Sequence, residues 1–249
     1  MTGFLRCPRL PDRPVSQVLI SGEVPWLKEA LACRGIAALT TDPEPRLPHP
    51  VRFHPDLQVC PFYNKQMFVL KGNSLEAPLR DLGFQVTLTW GEPEPRYPRD
   101  VLCGGFLWGN RLVGNPKGVD QAIQDEAKAA GLVPLWVRQG YGACSTALVD
   151  QSSAVTGDPG MAKALSQAGF QVLEIRPGHI QLPGYDTGFL GGCCGKLAPG
   201  EMAFSGALSS HPDGELIRAF LQKRGVRVLE LRKGPLVDVG GILPLLEHR

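Results

Sequence analysis

The sequence predicts a closed five-bladed α/β propeller in one domain spanning residues 1–249, and three observations predict it. Five segments share one form: a helix-like run, a glycine, then a short apolar strand, with the glycines at Gly35, Gly83, Gly131, Gly169 and Gly225. Two further strand-like runs precede each of the last four helices, so the repeated unit is strand, strand, helix, strand. The first unit lacks one strand, while the end of the chain holds an unassigned strand, VDVGGILPLLE, over about 236–246. Pairing that strand into the first unit closes the ring, as propellers close theirs. A layered α/β sheet is the plainer alternative for such an alternation.

The first unit runs QVLIS, a helix over 25–34, then GIAALTT from Gly35. A Pro-rich connection at 42–50 leads to the second, with HPDLQVC as first strand, a helix over 74–82 and GFQVTLTW from Gly83. A shorter Pro-rich stretch at 92–98 precedes the third, with DVLCGGF, a helix over 119–130 and GLVPLWVR from Gly131. The fourth has GACSTAL and SAVTGD, a helix over 159–168 and GFQVLEIR from Gly169. The fifth has GYDTGFLGG and EMAFSG, a helix over 212–224 and GVRVLELR from Gly225. Each of the five glycines suits the position just past a helix, where left-handed backbone costs glycine little. Asp158-Pro159 and His211-Pro212 place proline where a first helical turn tolerates it.

Composition removes several function classes. Lys and Arg number 26 against 24 Asp and Glu, a formal charge of +2, which lacks the basic excess of a dedicated nucleic-acid binder. No apolar run reaches the ~18 residues of a membrane span. The N-terminus, MTGFLRCPRLPDRP, has no apolar signal core. Seven scattered cysteines with no CxxC pair suit a reducing cytoplasm, the expected compartment. There is no GxGxxG after a strand, no GxxxxGK and no GxSxG elbow, so no cofactor is expected.

Five strand-strand-helix-strand units around an axis resemble the pentein superfamily. HPDLQ, GYGACST, PGHIQLPGYDTGFLGG and VDVGGILPL resemble an uncharacterised bacterial branch of it. The superfamily includes arginine deiminases, dimethylarginine hydrolases, amidinotransferases and a non-enzymatic ribosome anti-association factor. The resemblance implies a polar pocket on the axis and either of two functions: a hydrolase or transferase of a small cationic guanidino or amidino compound, or a non-catalytic binding protein. From the charge balance and the lack of a long apolar run, no nucleic-acid or membrane partner is expected.

In such a ring the first strand of each unit runs nearest the axis. Asp56, Asp100, Asp186 and Asp238 stand at or near the start of four of those strands. Clustered carboxylates repel one another and favour a cation. For Asp56 and Asp186 substrate contact and turn capping both stand; for Asp100 and Asp238 turn capping is preferred. His54, Asp56 and Gln58 alternate along HPDLQVC and would share one face of a strand. The resemblance implies that Asp56 matches the aspartate that helps hold the guanidinium in dimethylarginine hydrolases. By contrast, the second HPD, in SHPDGELIRAFLQ, begins a helix and needs no function.

The resemblance also places His179, in GHIQL, where the family has a general acid/base histidine; the alternative is a histidine tying down a loop. The family's nucleophile is a cysteine in the final strand, where this chain has Pro244. Two other thiols can replace it: Cys194, which shares a strand face with Asp186, and Cys144 in GYGACST. Buried inert thiols are the commoner outcome. Tyr185 and Tyr141 would wall a pocket or stack on a flat cation. His54, His179, Asp56, Asp186 and the cysteines include metal-ligand types, but their spacing matches no zinc motif, so no metal is expected.

Overall fold

The computed structural model describes residues 2–249 and arranges them as five small mixed sheets. The first unit holds β1 (Thr2–Phe4), β2 (Val15–Ile20), α1 (Pro25–Ala32) and β3 (Ala37–Thr40). In the second, a single helical turn α2 (Pro55–Gln58) leads into β4 (Val59–Pro61), β5 (Gln66–Val69), α3 (Glu76–Asp81) and β6 (Gln85–Leu88). The third comprises β7 (Phe106–Trp108), β8 (Arg111–Gly114), α4 (Gln121–Ala129) and β9 (Val133–Trp136). The fourth comprises the turn α5 (Gly142–Ser145), β10 (Thr146–Leu148), β11 (Ser153–Thr156), α6 (Pro159–Gln167) and β12 (Gln171–Glu174). The fifth comprises β13 (Cys194–Ala198), β14 (Glu201–Phe204), α7 (Gly214–Gln222) and β15 (Arg227–Glu230). The last strand, β16 (Leu243–His248), returns to the first sheet between β1 and β2.

Each unit follows one rule. The inner strand pairs antiparallel with the middle strand, and a helix crosses over to a parallel outer strand. In the first unit β16 plays the inner strand, antiparallel to β2, with Leu243 opposite Leu19. The predicted propeller, its closing strand and its five helices are therefore present, with helix ends shifted by a few residues. The five glycines past the helices all have positive φ, from 67° at Gly225 to 94° at Gly169.

Neighbouring units meet backbone to backbone near the axis. A Cβ on Gly191 would lie 2.5 Å from Cys144 O, and one on Gly195 would lie 2.0 Å from Ile242 O. These glycines are what let the inner segments approach so closely. Farther out, units are clamped by aspartates at the starts of helices. Asp120 caps α4 through Ala122 N and also accepts hydrogen bonds from Trp90 N and Gly91 N at the end of the preceding unit. Asp213, at the start of α7, likewise accepts a hydrogen bond from Arg176 N, without capping its own helix.

The inner strands correct the sequence reading in one consistent way. Each begins later than expected, and the residues assigned to its first half form turns instead. HPDLQ is not a strand: Pro55 opens α2, and both HPD copies precede helical turns. The alternation argument for His54, Asp56 and Gln58 therefore fails. GYDTGFLGG is loop and turn, and β13 starts only at Cys194. In the last segment Gly240 and Gly241, both at positive φ, make a turn before β16 begins at Leu243. Proline and paired glycines so close to a strand start favour turns over extended pairing.

Candidate functional site

The turns that replace the expected strands carry a cluster of polar side chains. His54 and Asp56 come from the start of α2, Cys144 from α5, and Asp238 from the turn before β16. Three sheets thus contribute to one point. All four residues are buried, with exposures of 3 %, 1 %, 1 % and 3 %. A His54 nitrogen, an Asp56 oxygen and the Cys144 sulfur all lie within 4.8 Å of one another. Asp238 Oδ1 is 3.7 Å from His54 Nδ1. The Asp238 carboxylate also accepts hydrogen bonds from Phe189 N and Gly240 N at 2.8 and 3.0 Å, which fix its orientation.

This cluster adjoins a cavity of about 180 Å³. Its polar lining is His54, Cys144, Thr187 and Asp238, and its apolar lining is Val51 and Leu182. Tyr141, Tyr185 and Phe189 form an aromatic wall, with the Tyr141 and Phe189 rings stacked at 6.1 Å between centroids. Tyr141 Oη donates to Asp100, which holds the wall against the third unit. Asp56 does not line the cavity itself.

The electrostatics of the cluster are unresolved within the protein. His54 Nδ1 and both oxygens of Asp56 are buried without a hydrogen-bond partner among the described residues. Burial, countered by His54 and reinforced by Asp238, pushes the Asp56 carboxyl up to about 6. Burial, then the nearby charges of Asp56 and Asp238, push the Cys144 thiol well above its ordinary value. A positive charge placed at this point would offset the two carboxylates and lower the thiol.

The other residues proposed from sequence go elsewhere. Gln58 binds Asp42 O, Arg52 O and Asn73 and serves the Pro-rich connection. His179 is exposed at φ 61°, its ring 5.6 Å from His211, and does not line the cavity. Asp186 is exposed in the loop before β13. Cys194 lines a separate space of about 20 Å³ with Arg9, Lys196 and Pro244, and burial pushes its thiol up to about 12. Tyr185, by contrast, lines the cavity. Asp238 and Asp100 were assigned to turns. Asp238 does make its turn, through Gly240 N, but the same carboxylate faces His54; its signal was the Asp-x-Gly-Gly run. Asp100 bonds a tyrosine hydroxyl instead of a turn amide.

A family model described as "Family of unknown function (DUF6873)" matches residues 19–243. No curated protein sequence matches the chain. Solved structures do match in fold. Inosamine-phosphate amidinotransferase from Streptomyces griseus is 11 % identical at a TM-score of 0.56, covering 98 % of this chain and 97 % of that one. Agmatine deiminase from C. jejuni with substrate bound is 8 % identical at 0.55, covering 92 % and 91 %. DDAH from Pseudomonas aeruginosa complexed with citrulline is 10 % identical at 0.52, covering 87 % and 92 %. The fold these structures share with this chain is the pentein propeller. Among the described residues no helix is long and apolar enough to cross a membrane.

Proposed function

Because the chain belongs to the DUF6873 family, whose function is unknown, its activity must be argued from the cavity, and we propose that it is a hydrolase or transferase of a small cationic amidino or guanidino compound with Cys144 as nucleophile. The observation that carries this reading is that the Cys144 sulfur and His54 face one cavity, with the Asp238 carboxylate behind His54. Nucleophile, proton carrier and orienting carboxylate are the parts that thiol catalysis requires.

A flat amidinium fits between the aromatic wall and Asp238, where ring faces and a carboxylate both attract it. Its charge offsets Asp56 and Asp238, which otherwise hold the Cys144 proton in place, so binding activates the thiol. The thiol proton passes to His54 as the sulfur forms a bond to the amidino carbon. The bond from that carbon to the departing nitrogen then breaks, and His54 returns the proton to the leaving amine. Water or a second amine finally cleaves the carbon–sulfur bond and restores the thiol.

A chloroacetamidine reagent tests this, since it presents an amidinium beside an alkylating carbon. Metal-free protein should be labelled first at buried Cys144, ahead of exposed Cys33, with protection by guanidino compounds and loss of selectivity in Asp238→Asn. Labelling confined to Cys33 and Cys7 would overturn the nucleophile. The carboxylates that push the Cys144 thiol up favour a second reading, a protein that binds the cation without turnover. Guanidino compounds that bind stoichiometrically but never react would establish that alternative.

A further inference from the structure

We infer that His54, Asp56 and Cys144 form a binding site for one thiophilic divalent cation, with zinc the best fit. The inference goes beyond the amidino reading, because it assigns the same side chains a ligand that needs no reaction. Imidazole nitrogen, carboxylate oxygen and thiolate sulfur together make a borderline-soft donor set, which suits zinc and disfavours magnesium or calcium. The three donor atoms already lie within 4.8 Å of one another, so modest side-chain movement brings them around a single ion.

Burial supplies the independent observation. Both Asp56 oxygens and His54 Nδ1 lie out of solvent, and apart from the Cys144 thiol that leans on Asp56 they have no partner, although nearly all buried polar atoms in proteins have one. A metal ion takes up these acceptors where an amidinium in the cavity reaches only the residues that line it, which do not include Asp56. Asp238, 3.7 Å from His54 Nδ1, stands where it can supply a fourth oxygen to an ion held by that nitrogen. His54 and Cys144 also line the cavity, which gives the ion access and leaves a coordination position facing it. The sequence spacing concealed this set, since its members lie on the second and fourth units and only the ring brings them together.

With zinc bound, Cys144 is a ligand and its sulfur is withdrawn from attack on carbon. Dialysed, metal-free protein should be titrated with zinc chloride against a chromophoric chelator, and separately with cobalt(II). One zinc per chain is expected, with a thiolate-to-cobalt charge-transfer band. Cys144→Ser should abolish that band and weaken zinc binding by more than ~100-fold, Asp238→Asn should weaken it by roughly 10–100-fold, and Cys33→Ser should change neither. Asp56→Asn serves if the Cys144 variant does not fold. Binding that is absent, or unaffected by both Cys144→Ser and Asp56→Asn, would overturn the site. The two proposals fail separately: selective labelling of Cys144 without zinc binding sinks only the metal site, and stoichiometric zinc without labelling of the metal-free protein sinks only the nucleophile.

Discussion

At the scale of single residues, Asp56 shows a structure holding a group against its own stability. An unfolded chain ionises this carboxyl near 3.8, whereas the folded protein delays it to about 6 because the charge is buried. Between those values the unfolded state releases a proton that the folded state retains, so stability falls as pH rises and the loss is complete above about 6. The displacement corresponds to a cost of about 3 kcal/mol at neutral pH, to order of magnitude. Asp56→Asn should therefore stabilise the metal-free protein by roughly 1–3 kcal/mol at pH 7.5, and the difference should vanish below about pH 4. Urea unfolding at both pH values checks it, and a loss of stability at pH 7.5 would mean that Asp56 has a partner within the protein. Asp56 drew notice as an aspartate at the start of an inner segment, although the strand face that argued for it proved to be a helical turn. Asp238 was not legible, because one aspartate both makes its turn and faces His54, and local sequence shows only the first of these.

At the scale of elements, legibility followed length. The five crossover helices were readable because each spans six to nine residues and stops just before a glycine with left-handed backbone, and that glycine in turn marks where each outer strand starts. The four-residue turns α2 and α5 show no period, so their residues were absorbed into the strands that follow. Glycines at the two kinds of place should respond differently to one added methyl. At Gly131, φ is 72° and a Cβ meets nothing within 4 Å, so Gly131→Ala bears only backbone strain, about 1–2 kcal/mol. At Gly195 the Cβ would sit 2.0 Å from Ile242 O, in the seam between β13 and the turn into β16. Neither backbone can retreat without opening the ring, so Gly195→Ala should yield no folded, soluble protein. Comparable urea midpoints for the two variants would contradict the close approach.

At the scale of the whole molecule, the ring was legible as a repeat but its centre was not. Repetition is written along the chain, whereas the site joins turns from separate units and exists only after closure. The same closure buries thiols, and that gives the fold a pH limit. Cys60, Cys103, Cys144, Cys193 and Cys194 lie in the interior, where burial pushes Cys60 and Cys194 up to about 12 and the other three well up. Unfolded, they ionise near 9. Above that value the unfolded chain sheds protons that the folded protein keeps, so each thiol lowers stability by about 1.4 kcal/mol per pH unit. Lys196 acts in the opposite sense: burial lowers its amine to about 8 from 10.5, so across that range the unfolded chain holds an extra proton and stability gains. One amine offsets only part of five thiols. The net loss should reach roughly 4–5 kcal/mol by pH 10 and, for a fold of ordinary stability, approach complete unfolding near pH 11. Urea unfolding in reducing buffer from pH 8 to 10.5 measures it, and Lys196→Met should steepen the decline. Stability that stays level through pH 10 would mean the thiols ionise inside the folded ring, and that its interior is wetter than the burial of these residues implies.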